Sequence, residues 1–250
     1  MTLNIQLSIV SHLHQVAAER NRRECSPTLK AAVQAVKLYQ QERFSLTYAD
    51  LLASSRYRKA ARFFLEELYG PRDFARRDAQ FSRVIPALVR LFPTEVARTV
   101  ETLARLHAVS EKLDSEMGAH LHLAGVVVEA AAYIEAWQST GRPDQREIQI
   151  ALTLDVGVAM DRFTRKPLLR RTLRMMRVAA KAAGLGELQR FLEAGFDAFK
   201  AMNGADEFLS LIARRERQFV QSLFSAEAQR RGHRDLPQDT RVNPADDHSG

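Results

Sequence analysis

RFFLEELYGPRDFARRD, Arg62 to Asp78, joins an apolar helical stripe to a Gly-Pro stop and a run of mixed charge. Tyr57, Ala61, Phe64 and Leu68 recur at spacings of three and four, which sets them on one helix face, and Ala60 and Phe63 widen it. Leu65 and Tyr69 form a second contact line, so this helix is expected to be buried on two sides and central to its bundle. The same spacing recurs along nearly the whole chain, while the alternation that marks a strand is hardly seen. The fold class is therefore all-α, an irregular multi-helix bundle of about eight to ten helices.

Working outward, the chain reads as a succession of capped helices. Upstream, a helix runs from about Asn4 to Arg22, and Ser26-Pro27 supplies an N-cap and a first-position proline for a second one to about Glu42. Thr47 caps a short turn before a helix over Arg56 to Tyr69. Downstream, the chain restarts near Asp73 and runs to about Leu91, with Pro86 kinking it or opening a new first turn. Thr94 and Glu95 open a helix to about Lys112, and Asp114 or Ser115 with Glu116 opens another to Gln138. After a loop over 140–144, helices are expected at about Asp144 to Phe163, Lys166 to Ala183, Gly186 to Met202 and Asp206 to Gln229. Leu185 between Gly184 and Gly186 suits a left-handed helix stop. Residues 1–228 are expected to form one all-helical domain, and 229–250, with few apolar residues and two prolines, a disordered tail.

A chain of 250 residues with 46% hydrophobic content has enough apolar surface for one sizeable core. Its formal charge of +7 favours an acidic or polyanionic partner. A single cysteine, Cys25, excludes an internal disulfide framework and a thiolate zinc cage. The start lacks the pattern of a signal peptide, and the most apolar run, Leu123 to Trp137, carries Glu129 and Glu135 and falls short of the roughly 20 apolar residues a spanning helix needs. A cytoplasmic protein without membrane insertion is expected. The Ala-rich face of Val126 to Trp137 is core, and would also suit close helix packing or a homodimer seam.

The opening stretch raises a question of chemistry. Glu66 and Glu67 sit in the last turn before Gly70, where the helix dipole disfavours negative charge by roughly 0.3 to 1 kcal/mol each. Arg62, Arg72, Arg76 and Arg77 surround them, so an ion-pair network across the corner is the natural remedy. Adjacent helix positions point about 100° apart, so the two glutamates do not form a carboxylate dyad, although either one could act singly beside Tyr69 and Asp73. FFLEELYG, Phe63 to Gly70, followed by PRDFARRD, resembles the signature of the uncharacterised bacterial FFLEELY-motif family. The resemblance implies a helical protein and brings no activity, cofactor or catalytic residue. The motif corner comprises Phe63, Phe64, Glu66, Glu67, Tyr69, Gly70, Arg72, Asp73, Arg76 and Arg77.

Metal and nucleophile patterns are thin. His12 with His14 and His120 with His122 are two apart and point to nearly opposite sides of a helix. His107 with Glu111 and Glu116 with His120 could each offer two ligands from one face, but ordinary helical pairs are the commoner reading, and no metal site is assigned. No G-x-S-x-G, P-loop or dinucleotide fingerprint is present, so a non-enzymatic reading is preferred. ETLARLHAVSEKLDSEMGAHL, Glu101 to Leu121, is similar to the globin stretch in which a histidine near a helix end binds haem iron. That similarity implies His107 as an axial ligand, and a haem- or small-ligand-binding protein is the alternative reading.

The strongest charge feature is RFTRKPLLRRTLRMMRVAAK, Arg162 to Lys181, with eight basic residues and no acidic one. Lys166, Arg170, Arg174, Arg177 and Lys181 fall on one helical face, and Leu169, Leu173, Met176 and Ala180 line the other. Nucleic acid would be expected to bring interleaved aromatics, and a membrane surface bulky residues such as Trp; neither is present. The remaining readings are a solvated face paired with Glu187, Glu193 or Asp197, and a surface for an acidic or phosphate-bearing partner. The function expected from sequence is a helical binding or adaptor module that uses this basic surface.

Overall fold

In a computed structural model, residues 2–68, 75–121, 128–225 and 236–237 are described. Tyr69, Gly70, Arg72 and Asp73 of the expected corner, His122 and nearly all of 229–250 lie outside them. The described residues form twelve α-helices and one π-helical turn, with no strand among them. The protein is an all-α multi-helix bundle, and no described helix is long and apolar enough to cross a membrane.

Local chemistry accounts for the early boundaries. Between α1 (Thr2–Glu24) and α2 (Pro27–Thr47), Ser26 is extended and its hydroxyl accepts the Leu29 N–H at 3.3 Å. Pro27 then occupies a position where no N–H is needed. Thr47 is not a cap: it remains in α2, and α3 (Ala49–Ala53) starts after Tyr48, which is fully buried with its ring tilted against Phe44. α4 (Arg58–Phe63) runs into the π turn Phe64–Leu68. α5 (Ala75–Leu91) carries Pro86 in its interior rather than starting anew there.

The boundary expected near Asp114 and Ser115 does not exist. α6 (Thr94–His120) is continuous over 27 residues, and the groups that would have capped a new helix are turned to Arg23 and Lys37 instead. α7 (Ala130–Thr140) and α8 (Pro143–Thr164) follow. The single helix expected over Lys166 to Ala183 is two, α9 (Pro167–Met175) and α10 (Arg177–Ala182), broken at Met176. α10 ends as expected in a left-handed stop, at Gly184 with φ +71°, where Leu185 N–H reaches the Ala180 carbonyl and Gly184 N–H the Lys181 carbonyl. α11 (Gly186–Met202) and α12 (Asp206–Leu223) complete the described helices.

α6 is the organising element and packs on α1, α2, α7 and α8. At Gly118 the contact with α2 is backbone-close: a Cβ there would stand 2.6 Å from Val33 Cγ2 and 3.1 Å from Val33 N. One core lies among α2, α6, α7 and α12, built on Met117, Tyr133, Ile134, Trp137 and Phe219, with the Tyr39 and Tyr133 rings stacked at 4.4 Å. Leu236, from the segment expected to be a tail, is buried in this cluster. A second core joins Phe44, Tyr48, Phe64, Phe199 and Phe208 across α2, the π turn, α11 and α12. The third, Ile5, Ile9, Ile85 and Val89, joins α1 to α5. A fourth, small cluster around Phe163 and Phe196 receives Leu169 and Leu173 of α9, which stay half-buried.

Candidate functional site

α9 buries none of its residues, so the Arg162 to Lys181 stretch rests on the bundle as a surface layer. Of the five expected anion-binding residues, three are engaged within the protein. Lys166 Nζ lies 2.6 Å from Glu95 of α6, Arg170 pairs with Asp197 at 2.7 Å, and Arg177 grips Glu193 with two bonds of 2.9 and 2.8 Å. The Arg177 hydrogen bond holds the Glu193 carboxyl below its ordinary range. Glu193 and Asp197 are thus the partners expected from sequence, whereas Glu187 approaches Arg76 at 3.8 Å. Gln189 also ties α11 to this layer, bonding the Leu173 carbonyl at 2.7 Å and Glu193 at 2.9 Å.

The other two, Arg174 and Lys181, are exposed and have no carboxylate at ion-pair distance among the described residues; Arg171, which sequence spacing did not single out, is in the same position. Between these cations stand large apolar side chains in water: Leu168 is 75% exposed, Met175 69%, Met176 44% and Val178 80%. Met176 was expected on the inner apolar face, and the break in the helix at this residue turns it out. Leu168, Arg171 and Met175 follow each other at spacings of three and four, so charge and apolar surface share one side of α9. The sequence signal for this side was limited to Leu168 and Met175 standing among the cations, since the break at Met176 that exposes the apolar groups appears only in the fold.

His107 belongs to a different setting. Its Nε2 lies 2.9 Å from Asp78 Oδ2, and Arg20 reaches the same carboxylate at 2.6 Å and the same ring nitrogen at 3.3 Å. One turn on, Glu111 receives Arg23, and Lys37 at 2.9 Å; Lys37 also stands 3.7 Å from Asp114, and Arg23 donates to Ser115 Oγ at 3.1 Å. Burial pushes the Glu111 carboxyl up, but Lys37, His107 and Arg23 outweigh it and hold it at about 2. Burial likewise raises Asp78, and His107 with Arg20 brings it below its ordinary value. For Asp114 burial wins, aided by the neighbouring Glu111 charge, and its carboxyl is raised. The His107–Glu111 pair seen in the sequence is therefore part of an interior charge cluster joining α1, α2, α5 and α6. Among the described residues no group of three histidine, cysteine or carboxylate side chains is arranged to hold a metal ion.

At the motif corner, Phe64 is buried between Phe199 and Phe208, and Phe63 lies against Phe191 and over Gly195 of α11. Arg77 donates to the Glu67 backbone carbonyl at 3.1 Å, stands 3.7 Å from its carboxylate and covers the Phe191 ring at 4.5 Å. Glu66 is exposed, and no ion pair joins it to Arg62 among the described residues. The described part of the signature thus clamps α4 and α5 onto α11.

No curated protein and no solved structure matches the chain. Residues 19–230 fit the model of a domain of unknown function, DUF8198, and the chain belongs to that family.

Proposed function

We propose that the protein is a non-enzymatic, cytoplasmic binding module whose recognition surface is α9–α10, and that its partner is an acidic protein segment with apolar side chains among its carboxylates. One observation carries this reading: Arg171, Arg174 and Lys181 stand exposed among Leu168, Met175 and Val178, on a layer whose other cations are held by Glu95, Asp161, Asp197 and Glu193. Exposed apolar groups of this size are costly to leave in water unless covered by a partner. The interleaved cations select a partner of opposite sign and set its register. Nucleic acid would use the arginines on phosphates but leave the leucine, methionine and valine without a stacking role.

The test is fluorescence anisotropy of a dye-labelled peptide of alternating glutamate and leucine, beside polyglutamate and a single-stranded oligonucleotide. Arg171→Glu with Arg174→Glu should abolish peptide capture, and Leu168→Ser with Val178→Ser should weaken it while sparing polyglutamate. Equal capture by both double variants would sink the assignment, and preference for the oligonucleotide would replace it with a nucleic-acid surface whose affinity falls steeply with salt. A haem or flat ligand on His107 is the second reading; it requires iron to displace Asp78 from Nε2. A Soret band lost in His107→Ala would establish it.

A further inference from the structure

The inward side of α9 already meets an acidic helix face. Leu169 and Leu173 pack on the cluster that contains Phe196 of α11, and Arg170 pairs with Asp197 of α11 at 2.7 Å. Just past the break at Met176, Arg177 grips Glu193 with bonds of 2.9 and 2.8 Å. On α11, Glu193 and Asp197 stand four residues apart, and the buried Phe196 comes directly before Asp197. Positions three and four apart are neighbours on a helical surface, so the two carboxylates and the ring form one patch.

The outward side of α9 repeats this chemistry. At about 100° per residue, Leu169, Arg170 and Leu173 fall on one side of the helix, and Leu168, Arg171, Arg174 and Met175 on the other. Each side therefore carries two large apolar groups and arginine. On the inward side the leucines are half-buried and the arginine is paired; on the outward side Leu168 and Met175 are exposed, and so are both arginines. Neither Arg171 nor Arg174 has a carboxylate at ion-pair distance among the described residues. Arg174 acts on Glu193 through space alone, while both oxygens of that carboxylate are bonded to Arg177.

We infer that the partner of this outward side is an acidic amphipathic helix built like the face of α11 that holds the inward side: two carboxylates four residues apart and a large apolar side chain between them, in the pattern Glu-x-x-Phe-Asp of Glu193 to Asp197. The inference deepens the α9–α10 reading and rests on it. Arg171 and Arg174 are one helical turn apart, so carboxylates one turn apart on a partner helix reach both. The apolar residue between those carboxylates is then laid against Leu168 or Met175, as an anchor on a helix face. α9 buries none of its residues against the bundle, and a second helix on its outer side covers the apolar groups that the first leaves in water.

The probe is a dye-labelled peptide copying Gly186 to Met202, titrated into the full-length protein and followed by fluorescence anisotropy. A peptide of the same composition in scrambled order should bind at least tenfold more weakly, and so should a copy carrying Glu193→Gln and Asp197→Asn. In the protein, Arg171→Glu with Arg174→Glu should abolish capture of the copy. Should circular dichroism show that variant unfolded, Leu168→Ser, which alters no charge, should still weaken capture at least threefold. Equal capture of the copy and the scrambled peptide, both lost with Arg171→Glu and Arg174→Glu, overturns the helical pattern and leaves the α9–α10 reading standing. Failure of the copy, the scrambled peptide and the glutamate-leucine peptide alike removes both. Capture lost with Arg170→Gln and Arg177→Gln but kept with Arg171→Glu and Arg174→Glu would mean that the peptide exchanges with α11, and overturns the inference. Capture of phosphatidylserine vesicles in place of the peptide would assign the face to a membrane surface, and a dimer that Arg171→Glu with Arg174→Glu dissociates would assign it to a second copy; either overturns it as well.

Discussion

The charge cluster around Glu111 and the α9–α10 layer use the same side chains to opposite ends. In the cluster, Arg23, Lys37 and Glu111 are largely shielded from water, and the contacts bridge α1 and α2 to α6. There a lost partner leaves an uncompensated buried charge, so each ion is committed to holding helices in register. On α9–α10 the pairs Arg177–Glu193 and Arg170–Asp197 are mostly solvent-exposed, and such pairs contribute little to stability. What distinguishes the surface is its remainder, cations and apolar groups that the bundle does not cover. Burial makes charge structural, and exposure leaves it available for recognition.

The comparison breaks most visibly at Glu111. Glu111→Gln removes the anion that Arg23 and Lys37 share and should cost about 3–5 kcal/mol in urea unfolding. A loss below about 1 kcal/mol would mean that the cluster is as dispensable as the surface pairs. Acid probes the same contrast. Because the Glu111 carboxyl sits at about 2 in the fold against 4.5 when unfolded, the unfolded chain binds its proton first. Its stabilisation is complete above pH 4.5 and is lost as pH falls toward 2, about 3 kcal/mol in all, with Asp78 acting in the same direction and the raised Asp114 opposing it. Stability measured against pH should therefore fall through that window, and the Glu111→Gln protein should show a shallower fall.

Smaller effects sharpen the contrast from the packing side. Gly118→Ala sets a methyl against the Val33 backbone and should cost about 1–3 kcal/mol by thermal or chemical denaturation. On the surface, Arg174→Glu should leave Tm unchanged while removing capture of the acidic peptide. A large drop in Tm there would show that α9–α10 is held by its charges and is part of the bundle's own framework.

Much of the fold was legible in the line of Tyr57, Ala61 and Phe64, and those three residues are buried as the helical spacing implied. Ser26-Pro27 and Gly184 marked their boundaries because caps and left-handed stops are local chemistry. Asp114 and Ser115 misled for the same reason: both are good capping residues, and a half-buried lysine and a buried arginine claim them instead. The site was legible only in composition. The eight cations from Arg162 to Lys181 could be counted, yet which of them Glu95, Glu193 and Asp197 would hold depended on where α6 and α11 pass.

The sequence by itself determined the all-helical class, the positions of most helices and the presence of a strongly basic segment, because periodicity, caps and charge are properties of neighbours along the chain. The tertiary structure decided which charges are interior and which remain outside, and how α6 runs unbroken through its expected end. Arg23 and Glu111 lie 88 residues apart. Their meeting depends on how α1 and α6 pack, and no local pattern encodes that separation.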